Sequence, residues 1–136
     1  MRIATTRALI GLLLLAGVVF ILHTVAMDHF FYWRFWWYDI MMHFTGGILI
    51  GGLILWGILR VRPNVSRGNL LLMLVIGTII VGIGWEVMEY VGGITQGEAG
   101  YVFDTVKDLI MDTLGGLVAW GIYTFTTRST SPKEII

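Results

Sequence analysis

Residues 8–27 read ALIGLLLLAGVVFILHTVAM, an apolar run without one charged side chain. A helix needs about 20 such residues to cross the hydrocarbon of a bilayer. Lipid offers no hydrogen bonds to an open backbone, so a run of this length must be helical. Working outward, three further runs repeat the pattern. They are residues 40–59 (IMMHFTGGILIGGLILWGIL), 69–90 (NLLLMLVIGTIIVGIGWEVMEY) and 104–125 (DTVKDLIMDTLGGLVAWGIYTF). The expectation is an all-α polytopic membrane protein, a four-transmembrane-helix bundle forming one membrane domain over residues 1–136. Composition agrees. Hydrophobic residues make up 57% and charged residues 13%, against about 25% charged in a soluble domain. With no cysteine there is neither a disulfide nor a thiolate metal site. Zero net charge gives no reason to expect a nucleic-acid partner.

Basic residues set the expected orientation. Arg2 and Arg7 precede the first run, Arg60, Arg62 and Arg67 flank Pro63 between the second and third, and Arg128 and Lys133 follow the fourth. The other two connections hold only Arg34 and Lys107. By the positive-inside rule both termini should be cytoplasmic, in a multi-pass membrane protein. A rival reading makes the first run a cleaved signal peptide, with Arg2 and Arg7 as its basic region and Thr24-Val25-Ala26 as the cleavage site. The connection from Asp28 to Asp39, DHFFYWRFWWYD, is aromatic at every position from Phe30 to Tyr38 except Arg34. Such a belt suits the headgroup layer, where rings are half apolar and half wet. It is read as an interfacial anchor rather than a lipid- or sugar-binding platform.

With this topology the acids converge. Asp39 and His43 lie at the outer end of the second helix, Glu86 and Glu89 at the outer end of the third, and Asp104, Asp108 and Asp112 in the outer half of the fourth. Spacing supports shared faces: Asp39 and His43 are four residues apart, as are Asp104, Asp108 and Asp112, while Glu86 and Glu89 are three apart. At 1.5 Å per residue the Asp104–Asp112 stripe reaches roughly 12 Å inward. An isolated Asp near a helix centre costs about 2.5–3.5 kcal/mol on insertion scales. Crowded carboxylates cannot all ionise without a counter-charge, and Lys107 and Arg34 are too few to neutralise six acids.

Three explanations compete for this cluster. Carboxylate oxygens, with His43, suit a divalent cation: Mg²⁺, Ca²⁺ or Mn²⁺ for oxygen donors, Zn²⁺ or Fe where imidazole joins. Partly protonated acids could relay protons or ions. The third explanation is the helix dipole, which favours acids at helix N-termini. The dipole accounts for Asp39 and Asp104. It fades before Asp108 and Asp112, and has the wrong sign for Glu86 and Glu89 at a helix C-terminus. A di-iron bundle pairs Glu-x-x-His on two helices, and no His follows either Glu here. His23 and His29 are read as partly solvated, Asp28 and Glu98 as loop acids. Trp85 either caps the cluster or meets lipid.

Glycines follow the acids. Gly46 and Gly47 come just after His43, Gly115 and Gly116 just after Asp112, and Gly47 and Gly51 form a G-x-x-x-G pair. Small residues let membrane helices approach closely. Tight packing there predicts a cluster with a closed floor, open only outward.

The stretches YDIMMHFTGG (38–47), WEVMEY (85–90) and FDTVKDLIMDTLGG (103–116) resemble the YjdF-like and VanZ-like small bacterial membrane proteins. Members show Asp-x-x-x-His heading one helix, a Glu-rich motif ending another, then an Asp-x-x-x-Asp stripe leading to glycine. WEVMEY looks more like the YjdF type, since VanZ-like proteins tend to carry Gln and Asn where this chain has Glu89 and Asp112. The resemblance implies a compact helical bundle in a bacterial cytoplasmic membrane. On the VanZ side it implies a link to tolerance of envelope-directed glycopeptides.

Together these readings lead to an expected divalent-cation site with Asp39, His43, Glu86, Glu89, Asp104, Asp108 and Asp112 as candidate ligands. His43, Asp39 and Asp108 are the candidate catalytic residues of a metal-dependent membrane hydrolase. The expected partners are membrane lipids and a lipid-linked envelope precursor. The alternatives are a proton- or cation-translocating protein and a non-catalytic VanZ-like envelope protein.

Overall fold

The computed structural model describes residues 2–95 and 100–129. Glu98, Lys133 and the tail beyond Ser129 lie outside the described residues. Five helices follow one another: α1 (Arg2–Asp28), α2 (Phe31–Arg34), α3 (Tyr38–Val61), α4 (Arg67–Val91) and α5 (Tyr101–Ser129). All but α2 are long and apolar enough to cross a membrane, and no strand occurs among the described residues. The chain is an all-helical membrane protein, as its four apolar runs require.

The connections follow local chemistry. Phe30 turns the chain out of α1 in the left-handed region at φ 58°, an uncommon conformation for a residue with a Cβ. The aromatic segment then forms the single-turn helix α2. Pro63 cannot continue a helix, and α3 ends just before it. The Ser66 hydroxyl accepts from Asn69 N at 3.3 Å and caps α4, satisfying one of the free N–H groups of its first turn. Beyond α4, Gly93 takes φ 77°, a conformation glycine adopts without strain.

The closest packing lies between α3 and α5, and glycines make it possible. A Cβ on Gly47 would collide with the Asp112 backbone, and one on Gly115 with the Phe44 carbonyl. A Cβ on Gly51 would stand 2.7 Å from Gly116 Cα. Helix α4 leans on the same partner, with Thr78 and Leu74 against Gly116 and with Gly82 beneath the Asp112 carboxylate. At the end of the bundle remote from α2, Leu55, Leu70, Leu74 and Ala119 form an apolar core.

Helix α1 packs differently. Ala26 is fully buried against Tyr38 and Met42, and the Tyr38 hydroxyl donates to Leu22 O at 3.0 Å. The Thr24-Val25-Ala26 tripeptide is therefore part of a continuous helix with its last residue covered. Farther along, Leu12 lies over Gly52 of α3. No Cα of α1 comes within 8 Å of one in α4 or α5. Leu13, Leu14, Phe20 and Ile21 are exposed, as lipid-facing residues should be.

Candidate functional site

Asp39 sits in the first turn of α3 and His43 one turn later, on the face turned towards α5 and α4. Helix α5 answers with Asp104, Lys107, Asp108 and Asp112, and α4 with Glu86. Glycine contacts below hold the helices close enough for these side chains to meet. His43 is the hub. Its Nδ1 lies 3.3 Å from Asp112 Oδ1. Its Nε2 lies 3.7 Å from Asp39 Oδ1 and 3.9 Å from Glu86 Oε1. Lys107 Nζ forms the second node, 2.5 Å from Asp104 Oδ1, 3.4 Å from Asp39 Oδ2 and 3.5 Å from Asp108 Oδ1.

Burial makes these contacts consequential. Asp108 is 2% exposed and Glu86 4%. The Glu86 carboxylate accepts a hydrogen bond at Oε2, from Thr105 Oγ1 at 2.7 Å. Its other oxygen, Oε1, and Asp108 Oδ1 are buried without a hydrogen-bond partner. Buried polar atoms nearly always find hydrogen-bond partners; here Asp108 Oδ1 faces Lys107 Nζ at 3.5 Å and Glu86 Oε1 faces His43 Nε2 at 3.9 Å, both beyond hydrogen-bond geometry. Asp39, His43 and Asp108 each offer one ligand atom, all within 4.8 Å of one another. Donors about 2.0–2.6 Å from a shared ion lie no more than about 5 Å apart. This trio can hold a metal ion.

The other expected site residues take different places. Asp112 addresses the opposite nitrogen of His43. Glu86 borders the trio from α4. Asp104 is bound to Lys107 nearer the surface. Glu89 accepts from Trp85 Nε1 at 2.8 Å and lines a cavity instead of joining the trio. Arg34 lies exposed on α2, and the ion pairs of the site run through Lys107. His29 stays with its own helix, its Nδ1 3.0 Å from Val25 O.

Sequence reasoning missed Tyr32 and Thr105, left Trp85 open and read His23 as a partly solvated side chain. His23 Nδ1 lies 2.8 Å from the Tyr32 hydroxyl, and its ring stands edge-on to Trp85 at 5.7 Å between centroids. Burial pushes the Tyr32 phenol well above its usual range, so it stays protonated. The chain Tyr32–His23–Trp85–Glu89 forms a latch from α2 through α1 to α4. Only the aromatic richness of 30–38 signalled Tyr32; nothing in the spacing pointed to Thr105.

Two cavities meet at the cluster. One, of about 350 Å³, opens at the α2 end between Trp33, Trp36, Thr95, Asp104 and Lys107. The other, of about 190 Å³, extends below His43 and Asp112 between Val19, Gly46, Ile50 and Val81. Tyr32, Asp39 and Glu89 border both. The expected closed floor is therefore present on the α5 side alone. Gly47 and Gly115 seal that side, whereas a Cβ on Gly46 would meet nothing within 4 Å.

A family model described as predicted membrane protein (DUF2238) matches residues 2–129. The chain belongs to that family. No curated protein and no solved structure matches it.

Proposed function

We propose that this membrane protein holds a divalent cation on Asp39, His43 and Asp108, and with it binds and acts on the phosphate of an envelope lipid or a lipid-linked precursor. The observation that carries the reading is the convergence of three ligand atoms, with two buried carboxylate oxygens, Glu86 Oε1 and Asp108 Oδ1, that have no hydrogen-bond partner. In this reading His43 binds through Nε2, which faces Asp39 and Glu86. Asp112 on Nδ1 fixes the ring and its tautomer, as carboxylates behind metal-bound histidines do. Glu86 supplies a fourth donor, and Lys107 offsets part of the remaining negative charge. If His43 is instead left free of the metal, the same Asp112 contact suits it to act as general base. A bound cation supplies polarisation of a phosphoryl oxygen or activation of water.

The family motifs quoted above support a YjdF-like placement. Arg60, Arg62 and Arg67 gather at the end of the bundle opposite the cluster, which supports cytoplasmic termini and a site on the outer face of a bacterial inner membrane. The apolar core of Leu55, Leu70, Leu74 and Ala119 across the far half of the bundle counts against a relay through the membrane.

Titration of purified, metal-stripped protein with Mg²⁺, Ca²⁺, Mn²⁺ and Zn²⁺ tests the reading, together with elemental analysis of the protein as isolated. At least one ion should bind more tightly than millimolar, and Asp108→Asn should remove that binding. No affinity below the millimolar range for any of the four ends the proposal. In liposomes, proton or cation flux lost on Asp112→Asn would install the relay in its place.

A further inference from the structure

The smaller cavity gives the cluster a second approach. Its back wall is α3, at Gly46, Leu49 and Ile50, and its flanks are Val19 of α1 and Val81 of α4. No Cα of α1 comes within 8 Å of one in α4 among the described residues and Val81 is exposed, so only side chains bound the cavity between these two helices. The Trp85–His23 contact bridges this gap at the level of the acids. Below that bridge the walls are apolar. The cavity holds about 190 Å³ in all, polar at its upper end where Tyr32, Asp39, His43, Glu89 and Asp112 line it; its lower part, between Val19, Leu49, Ile50 and Val81, suits part of a hydrocarbon chain better than water, as apolar cavities do.

Lipid tails are as apolar as these walls, so the groove alone gives no selection. Selection comes from the headgroup. The two cavities share Tyr32, Asp39 and Glu89 as lining residues, so they lie side by side, and an amphiphile that spans them crosses these three side chains. Its polar head would lie near Asp39 and Lys107, and its chain along Gly46. Resting on the metal-and-phosphate reading above, we propose that the ligand is a lipid phosphate that enters sideways from the bilayer between α1 and α4. It lays one hydrocarbon chain against Gly46 and brings its phosphate to Asp39, His43 and Asp108. Without a cation the acidic cluster repels that phosphate, so occupancy depends on metal.

Gly46 permits a clean test because it has open space where its side chain would be. The probe is a dodecyl phosphate with a photoreactive diazirine in its chain, added to protein in nanodiscs with and without Mn²⁺. Mass spectrometry then locates the adducts. Labelling at Val19, Val81 or Trp85 should require Mn²⁺ and should fall by about tenfold or more in Gly46→Leu. Mn²⁺ affinity should be unchanged in that variant, which also shows that it folds. Gly84→Leu, equally unobstructed but outside the groove, should label like the parent. Normal Mn²⁺ binding with adducts confined to the exposed faces, or unaffected by Gly46→Leu, overturns the lateral groove and leaves the metal site standing. Absence of Mn²⁺ binding overturns the metal reading itself. Metal-independent labelling of the groove by the matching dodecyltrimethylammonium probe, in preference to the phosphate, overturns the phosphate as headgroup.

Discussion

Asp108 and Asp112 stand one turn apart on the same helix and do different work. Asp108 belongs to the trio of converging ligand atoms, and Asp112 meets the far nitrogen of the imidazole. Their isosteric variants should therefore separate. Asp112→Asn should weaken metal binding about 10–100-fold, the usual effect of losing a bracing carboxylate. Asp108→Asn should abolish saturable binding, and calorimetric titration distinguishes the two. Stability should move in opposite senses. For the parent, metal at a hundred times its dissociation constant should add about 2.7 kcal/mol, seen as a rise in Tm. Asp108→Asn should show no such rise. In metal-free buffer it should melt higher than the parent, since it removes one of several crowded, buried carboxylates that share the single ammonium of Lys107. If the acids serve only to lock helix pairing, Glu86→Gln lowers Tm and metal changes nothing in any variant. The four-residue spacing of Asp39 with His43, and of the α5 acids, already placed these groups together. It could not say which imidazole nitrogen each carboxylate addresses, because that depends on how each helix is rotated about its axis.

At the scale of elements, glycine does the placing. Gly47→Ala drives a methyl group into the Asp112 backbone. It should lower stability by about 1–3 kcal/mol, the range for overpacking a filled interface, and should disturb metal binding too, since the same contact positions Asp112. Gly57→Ala, on the same helix with nothing within 4 Å, should be neutral or mildly stabilising, because alanine is the better helix former by about 1 kcal/mol. Thermal unfolding in one detergent compares the pair. The G-x-x-x-G spacing was legible in the sequence, and its partner was not. A small-residue stripe fits a second copy, α1 or α5 equally well, and only the assembled bundle shows α5 against it. Adjacent glycines also point in different directions on a helix. That is why Gly47 closes one side of the site while Gly46 leaves the other open, and why a uniformly sealed floor was the wrong expectation.

For the whole molecule, orientation is the open quantity that charge predicts. The chain has no cysteine, so single cysteines report cleanly. Trp36→Cys, 81% exposed on the parent side chain, should react with a membrane-impermeant maleimide in intact cells. Arg62→Cys should react only after permeabilisation. The reverse pattern would put the site on the cytoplasmic face. The four spanning helices could be read from four apolar runs because bilayer thickness leaves few alternatives for such segments, whereas the single turn of α2 left no such signal. The lateral gap was not legible, since hydropathy records that a helix meets lipid but not which neighbours it lacks. Helix α1 lies along α3 and reaches α4 through side chains, His23 against Trp85, with no Cα of α1 within 8 Å of one in α4 among the described residues. A helix held along one side can adjust its tilt to match a thinner or thicker membrane at small energetic expense, while α3, α4 and α5, interlocked through glycines, resist. Bilayer thickness should then set the width of the opening beside Val19 and Val81. Spin labels on α1 and α4 should read different separations in short-chain and long-chain nanodiscs, which would make this protein responsive to the thickness of its own membrane.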